Sequence, residues 1–201
     1  MDRERIVEMK TKRHPDPQQT VDVIYEDGYR VTDKYVLFYG SFLSNFAKCR
    51  FRWKYMGEEH EFFCTEQAFM WAKAMTFGDM VMAKAILDEK DDPLECKHCG
   101  HWVQGYDDEK WAQERYIIML SVNMAKYTQD QEMRKLLLDP LFDGKMFVEA
   151  SPSDGIWGIN MSIKEKGVLD ERNWNGQNLL GKAITEVREK LKALQSSPNV
   201  V

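Results

Sequence analysis

The sequence predicts an α+β fold, predominantly helical, with a small antiparallel β element near the N-terminal half. Three observations predict it. Between Val21 and Cys64 short apolar alternations are broken by Gly-containing turns, the signature of strands joined in hairpins. From Thr65 onward apolar residues recur at helical spacing, with capping residues at segment starts. One apolar stretch, residues 145–150, interrupts the helices. Strands grouped ahead of helices point to α+β layering.

Residues 21–31 (VDVIYEDGYRV) read as a hairpin turning at Asp27-Gly28, and residues 35–40 (YVLFYG) as a further strand. The loop SFLSNF follows, and CRFRWKYMGEEHEFFC holds another hairpin around Gly57. TEQAFMWAKAMTFG suits a helix with Thr65 as N-cap and Gly78 just past its end. DMVMAKAILDEKDD predicts a second helix, stopped by Pro93. Residues 107–127 predict a long amphipathic helix with an acidic start, which the helix dipole favours. QDQEMRKLLL is a shorter helix, KMFVEA a buried strand feeding the loop SPSDGIWG, and NLLGKAITEVREKLKAL a C-terminal helix. MSIKEKGVLDERNWNGQ fits neither period. Residues 1–18 read as a polar arm, 19–195 as a single domain and 196–201 as a flexible tail.

Composition narrows the function classes. A net charge of −5 argues against broad, non-specific nucleic-acid binding, which relies on many Lys and Arg contacts to phosphate. No apolar run approaches the roughly 20 residues that span a bilayer. The charged N-terminus lacks the apolar stretch of a signal peptide, so the expected location is cytoplasmic, or nuclear in a eukaryote. Aromatic residues make up 12%, including six Trp, and suit core packing first and flat ligands second. Of Cys49, Cys64, Cys96 and Cys99, only the last two have C-x-x-C spacing, with His98 and His101 beside them. A zinc site commonly needs a second pair, so unpaired thiols are expected, and neither metal nor cofactor.

Residues with chemical capacity fall in a few places. Glu66 and Lys73 lie seven apart on one helix, on a shared face and ~10 Å apart along the axis. The dipole at the helix start favours an ionised Glu66, suited to act as base, nucleophile or cation stabiliser. Geometry alone favours an ordinary helix-start carboxylate with a solvated lysine. In the loop after residues 145–150, Asp154 offers a carboxylate, Trp157 a stacking face, and Gly155 and Gly158 permit tight turns. That loop reads equally as an Asp-Gly turn with a half-buried Trp. Ser44-Asn45-Phe46 can hydrogen-bond a base or ribose, while Trp111 and Asn178 are individually unremarked.

Taken in order, SNF, TEQAFMWAKA with a following FGD, W-x-x-x-R-Y, VEASPSDGIWG and NLLG resemble the NADAR (YbiA-like) family, from about Tyr39 to Leu191. The resemblance implies an N-glycosidase acting on ribosylated amines. Two substrate classes come with it: ADP-ribose on the exocyclic amine of guanine, in nucleic acid or nucleotide, and ribosylamino-pyrimidine phosphates of early riboflavin biosynthesis. A module binding ADP-ribose or NAD without turnover is the non-enzymatic reading. A paired ADP-ribosyltransferase is an implied partner for the first substrate.

By the same resemblance Glu66, Lys73 and Asp154 are the catalytic candidates. Ser44, Asn45, Phe46, Trp111, Trp157, Gly158 and Asn178 are the ligand-binding ones. Glu66 would stabilise an oxocarbenium-like ribose or orient water. Lys73 would attack C1 as a neutral amine, or contact phosphate if charged. Asp154 would fix ribose hydroxyls or assist the leaving amine, and Trp157 or Trp111 would stack on a base. Two departures stand out. Gly100-His101 replaces a Gly-Arg pair common in the family, weakening phosphate recognition there. Met70 and Ala72 replace polar residues of some members.

Overall fold

The computed structural model describes residues 23–25 and 28–196. The arm at residues 1–18 and the last residues of the tail lie outside these. The fold is α+β, with helix predominating. β1 (Val23–Tyr25), β2 (Tyr29–Val31) and β3 (Tyr35–Phe38) run antiparallel, and β6 (Met146–Glu149) closes the sheet parallel to β3. β4 (Phe51–Tyr55) and β5 (Glu58–Phe62) form a separate antiparallel hairpin. The antiparallel element near the N-terminal half is as expected, and the internal strand expected at residues 145–150 joins it as a parallel partner of β3. A parallel partner needs a long crossover, and the helices between β3 and β6 supply it.

Among the described residues six α-helices follow or flank these strands: α1 (Thr65–Phe77), α2 (Met80–Asp88), α3 (Pro93–His101), α4 (Asp108–Gln129), α5 (Gln131–Leu137) and α6 (Leu179–Ser196). α1 is central and almost wholly buried, which explains why its residues show no clean polar face. Its N-cap is Cys64, not Thr65: the Cys64 sulfur accepts the Gln67 backbone N–H at 3.4 Å, while the Gln67 side-chain Oε1 accepts the Phe63 N–H at 3.1 Å. This reciprocal pairing has the logic of a capping box. Gly78 closes the helix in the left-handed conformation, as expected.

Pro93 starts a helix where the sequence suggested only a stop. α2 ends at Asp88, and the Glu89 carboxylate then accepts the N–H groups of Lys90, Asp91 and Asp92. Asp92 caps α3 and Pro93 takes its first position. A proline there loses nothing, because that N–H has no helical partner and the ring pre-sets φ.

The sheet separates two apolar layers. Val36, Phe38 and Phe147 join the main core with α1, α4 and α6, while Tyr35, Leu37, Val148 and Ala150 face a smaller cluster with Ile159, Met161 and Val168. The segment that fitted neither period thus covers the outer face of β3 and β6. It is held by turns and by the Trp174 indole donating to Val168 O at 2.8 Å. On the inner side, Arg188 of α6 is 1% exposed and donates to Leu137 O and Asp139 O, tying α6 to the turn after α5. Among the described residues no helix is long and apolar enough to cross a membrane.

α6 lies so close to β6 that a Cβ at Gly181 would fall 2.2 Å from Phe147 O and 2.4 Å from Asn178 Oδ1. Gly181→Ala must push the helix off the strand, costing about 1–3 kcal/mol. A lowered thermal midpoint for the folded variant is the expected result, and an unchanged midpoint would contradict this packing.

Candidate active site

The first turn of α1 carries Glu66, with the loop before β4 seated on it. Asn45 O accepts the Glu66 N–H at 3.0 Å, and Lys126, 0% exposed, holds this loop through Phe42 O and Ser44 O at 3.1 and 3.4 Å. Ser44 Oγ accepts the Phe46 N–H and so shapes the same turn. The helix dipole favours an ionised carboxylate, but burial outweighs it. Glu66 is 6% exposed, and desolvation pushes its carboxyl from the ordinary 4.5 up to about 7. Lys97 and the Asn45 side chain pull it down, and the Asp154 charge pushes it up.

A second acid, half-buried, interacts with it. Glu149 is the last residue of β6, and its Oε2 is enclosed with no hydrogen-bond partner among the described residues. Burial raises its carboxyl to about 8, the charges of Asp154 and Glu66 adding to the shift and Lys97 opposing it. Because each of these carboxyls sits in the field of neighbouring acids, the pair holds a proton more readily than an isolated glutamate does.

The loop after β6 brings the third carboxylate. Asp154 Oδ1 accepts the N–H groups of Ile156 and Trp157 at 2.9 and 2.8 Å, an Asx-type turn that leaves Oδ2 for a ligand. Gly158 allows the loop to fold back, since a Cβ there would lie 2.8 Å from Glu149 O. Asn178 completes the support. Its Oδ1 accepts the Glu149 N–H and its Nδ2 donates to Phe147 O, both at 3.0 Å.

The structure therefore gathers Glu66, Asp154, Asn45 and Phe46 from the expected set, and adds Glu149 and Lys97. Lys97 of α3 acts electrostatically on both buried glutamates and lies 5.9 Å from the centre of the half-exposed Phe46 ring. Lys73 lies two turns further along α1. Its Nζ donates to Gly100 O at 2.8 Å and sits 4.2 Å over the Tyr106 ring. Burial lowers the affinity of this amine for its proton, and Asp108 opposes that. His101 has its pKa lowered by burial and by the charges of Lys73 and Lys97.

Three expected ligand residues have other work. Trp111 is 5% exposed, its ring packed between Phe69 at 5.1 Å and Phe77 at 6.2 Å, so no face is free for a base. Asn178 spends both ends of its amide on the β6 backbone. Gly158 contributes a close backbone approach. Trp157 meets Phe69 edge-on at 5.0 Å and is half-buried, which leaves it the stacking candidate. Glu149 was readable as the one acid ending a buried strand beside a functional loop. Lys97 was concealed within a segment, CKHCGH, whose cysteines and histidines suggested metal. The four cysteines are free thiols.

Three acids, Glu66, Glu149 and Asp154, thus interact with one another and with Lys97 at the head of α1. The NADAR domain matches residues 37–192, and the chain belongs to the NADAR family. Among its relatives, N-glycosidase R617 of Acanthamoeba polyphaga mimivirus is 34% identical over 168 residues, covering 79% of this chain and 97% of the viral protein. Protein irg-1 of Caenorhabditis elegans is 37% identical over 133 residues, covering 65% of this chain and 61% of the worm protein. The solution structure of E. coli YbiA superposes with a TM-score of 0.64 at 22% identity, covering 90% of this chain and 98% of that one.

The raised carboxyls fix a sign for stability against pH. A group whose folded pKa lies above its unfolded value stabilises the fold below the unfolded pKa, and that stability is lost as pH rises to the folded one. For Glu149 the window runs from about 4.5 to about 8. The stability gained by Glu149→Gln over the unsubstituted protein should therefore grow between pH 5 and pH 8, followed by thermal melting at both. A gain independent of pH would refute the burial of an ionisable pair.

Proposed function

We propose that this protein is an N-glycosidase that hydrolyses the bond between ribose C1 and an exocyclic amine, removing ADP-ribose from guanine. The observation that carries this reading is the cluster of Glu66, Glu149 and Asp154 converging beside Lys97 at the head of α1. Its kinship with a viral N-glycosidase supports the same bond type. Cleavage of a ribosyl C–N bond builds positive charge at C1, which a nearby carboxylate stabilises. Glu66, titrating near neutrality, holds a water against C1 and accepts its proton. Asp154 Oδ2 takes a ribose hydroxyl. Lys97 meets a phosphate, and the exposed faces of Phe46 and Trp157 receive the flat base, a stacked base contributing ~1–3 kcal/mol. The modification would be installed by a partner ADP-ribosyltransferase.

A second route rests on Lys73. Its partly buried amine loses its proton more readily than a free lysine, which suits attack on a ring-opened ribose. Borohydride added during turnover decides between the routes. An adduct on Lys73 establishes covalent catalysis, whereas a fully active Lys73→Ala leaves Glu66 with water.

Single-turnover assays on ADP-ribosylated guanosine and on a ribosylamino-pyrimidine phosphate test the function itself. Release of guanosine from the first is expected, with Glu66→Gln slowing it by about 10²–10⁴-fold. Cleavage of the second alone would move the activity to metabolite repair. Binding of ADP-ribose with cleavage of neither would overturn the enzymatic reading.

A further inference from the structure

Of the acids gathered at the head of α1, Glu149 has no part in the hydrolysis as described so far, yet its backbone is held from several sides. Its N–H is taken by Asn178 Oδ1 at 3.0 Å and its carbonyl accepts the Ile159 N–H at 2.9 Å. Ala150, next in the chain, donates to Phe38 O at 2.8 Å, so the strand end cannot shift along β3. Gly158 packs on the Glu149 carbonyl where no side chain would fit. All this rigidity presents a carboxyl whose Oε2 is enclosed and has no partner among the described residues. An enclosed oxygen left unpaired costs roughly 1–3 kcal/mol, and such a cost persists where a ligand supplies the missing partner. Asn45 Oδ1, beside Glu66, is unpaired in the same way.

We infer that Glu149 is the general acid of the reaction, delivering its proton to the amine nitrogen that leaves ribose C1. The inference rests on the N-glycosidase reading above. The charged groups facing Glu149 are Glu66 from α1, Lys97 from α3 and Asp154 from the loop, while α6 presents the neutral Asn178 amide. Two carboxylates against one nearby ammonium favour a protonated Glu149, in keeping with its upward shift to about 8. An exocyclic amine is a poor leaving group unless it gains a proton as the bond breaks. The C1–N bond therefore breaks with its electron pair passing to nitrogen, and the Glu149 proton joins that nitrogen to give the free amine. The water oxygen bonds to C1 while Glu66 accepts its proton. Glu149 ends as carboxylate and Glu66 as acid, and passage of that proton back to Glu149 resets the pair. If Lys73 takes C1 first, the departing nitrogen needs the same proton.

The test is the pH profile of single turnover on ADP-ribosylated guanosine. The unsubstituted protein should show a bell, its acid limb from Glu66 and its alkaline limb from Glu149. Glu149→Gln should lower the maximal rate by about 10²-fold or more and abolish the alkaline limb while binding ADP-ribose unchanged. Glu66→Gln should abolish the acid limb instead. A slowed Glu149→Gln that keeps its alkaline limb would overturn the inference, leaving Glu149 a merely structural residue. Absence of turnover in the unsubstituted protein would overturn the glycosidase reading and this role together. Should Glu149→Gln fail to fold, carbon-13 NMR of glutamate-labelled Glu66→Gln answers the question. One carboxyl titrating well above the ordinary range is expected, and none would overturn the inference.

Discussion

The parallel pairing of β6 with β3 is the constraint on which the site depends. Its register sets Phe38 beside Glu149, and from that row the chain leaves the sheet into the Asp154 loop. Phe147 on one side of the strand is locked into the main core and Val148 on the other into the outer cluster. A slip of one residue would exchange these faces and carry Glu149 away from α1. The irregular segment after Gly158 and the first turn of α6 both serve this strand, the one by covering its outer face, the other by holding its backbone through Asn178.

Two desolvated acids are expensive. Among the described residues neither Glu66 nor Glu149 forms an ion pair, and Lys97 tempers both without neutralising either. Such groups are tolerated where the surroundings over-determine them, and strongly perturbed carboxyls cluster at functional sites. Here the surroundings are three independent supports: the Asn45 carbonyl on the Glu66 N–H, the Lys126 ammonium under the preceding loop, and the Asn178 amide on β6. Lys126 shows how far this goes, since a fully buried lysine is kept to fasten two loop carbonyls. The helix that carries Glu66 is itself anchored by the aromatic contacts of Trp71 with Trp53, His60 and Phe62.

Much of the fold was legible because it rests on local signals. Both hairpins, Gly78 as a helix end, the acidic start of α4 and the strand before Ser151 follow from period and turn chemistry. The misreadings were local too. Pro93 breaks a helix and begins one equally well, and only the Asp92 cap distinguishes the cases. Cys64 acts as a cap although sulfur is a weak acceptor, because Gln67 returns the bond from the other side. For the site, the ordered motifs led to Glu66, Asp154 and Trp157. They could not show that Trp111 and Asn178 are turned inward.

By itself, then, the order of residues determined the family, the element types and the presence of a carboxylate-bearing helix start, since these reside in short-range patterns. The shared face of Glu66 and Lys73 was also correct as helical geometry. Tertiary structure alone decided their different surroundings, because α3 places Gly100 O against Lys73 and Lys97 near Glu66. It alone brought Glu149 from more than eighty residues away in sequence to face Glu66. It also reversed the electrostatic expectation for Glu66. A helix dipole is a property of the segment, but desolvation depends on what the rest of the chain places around it, and here that larger effect prevails.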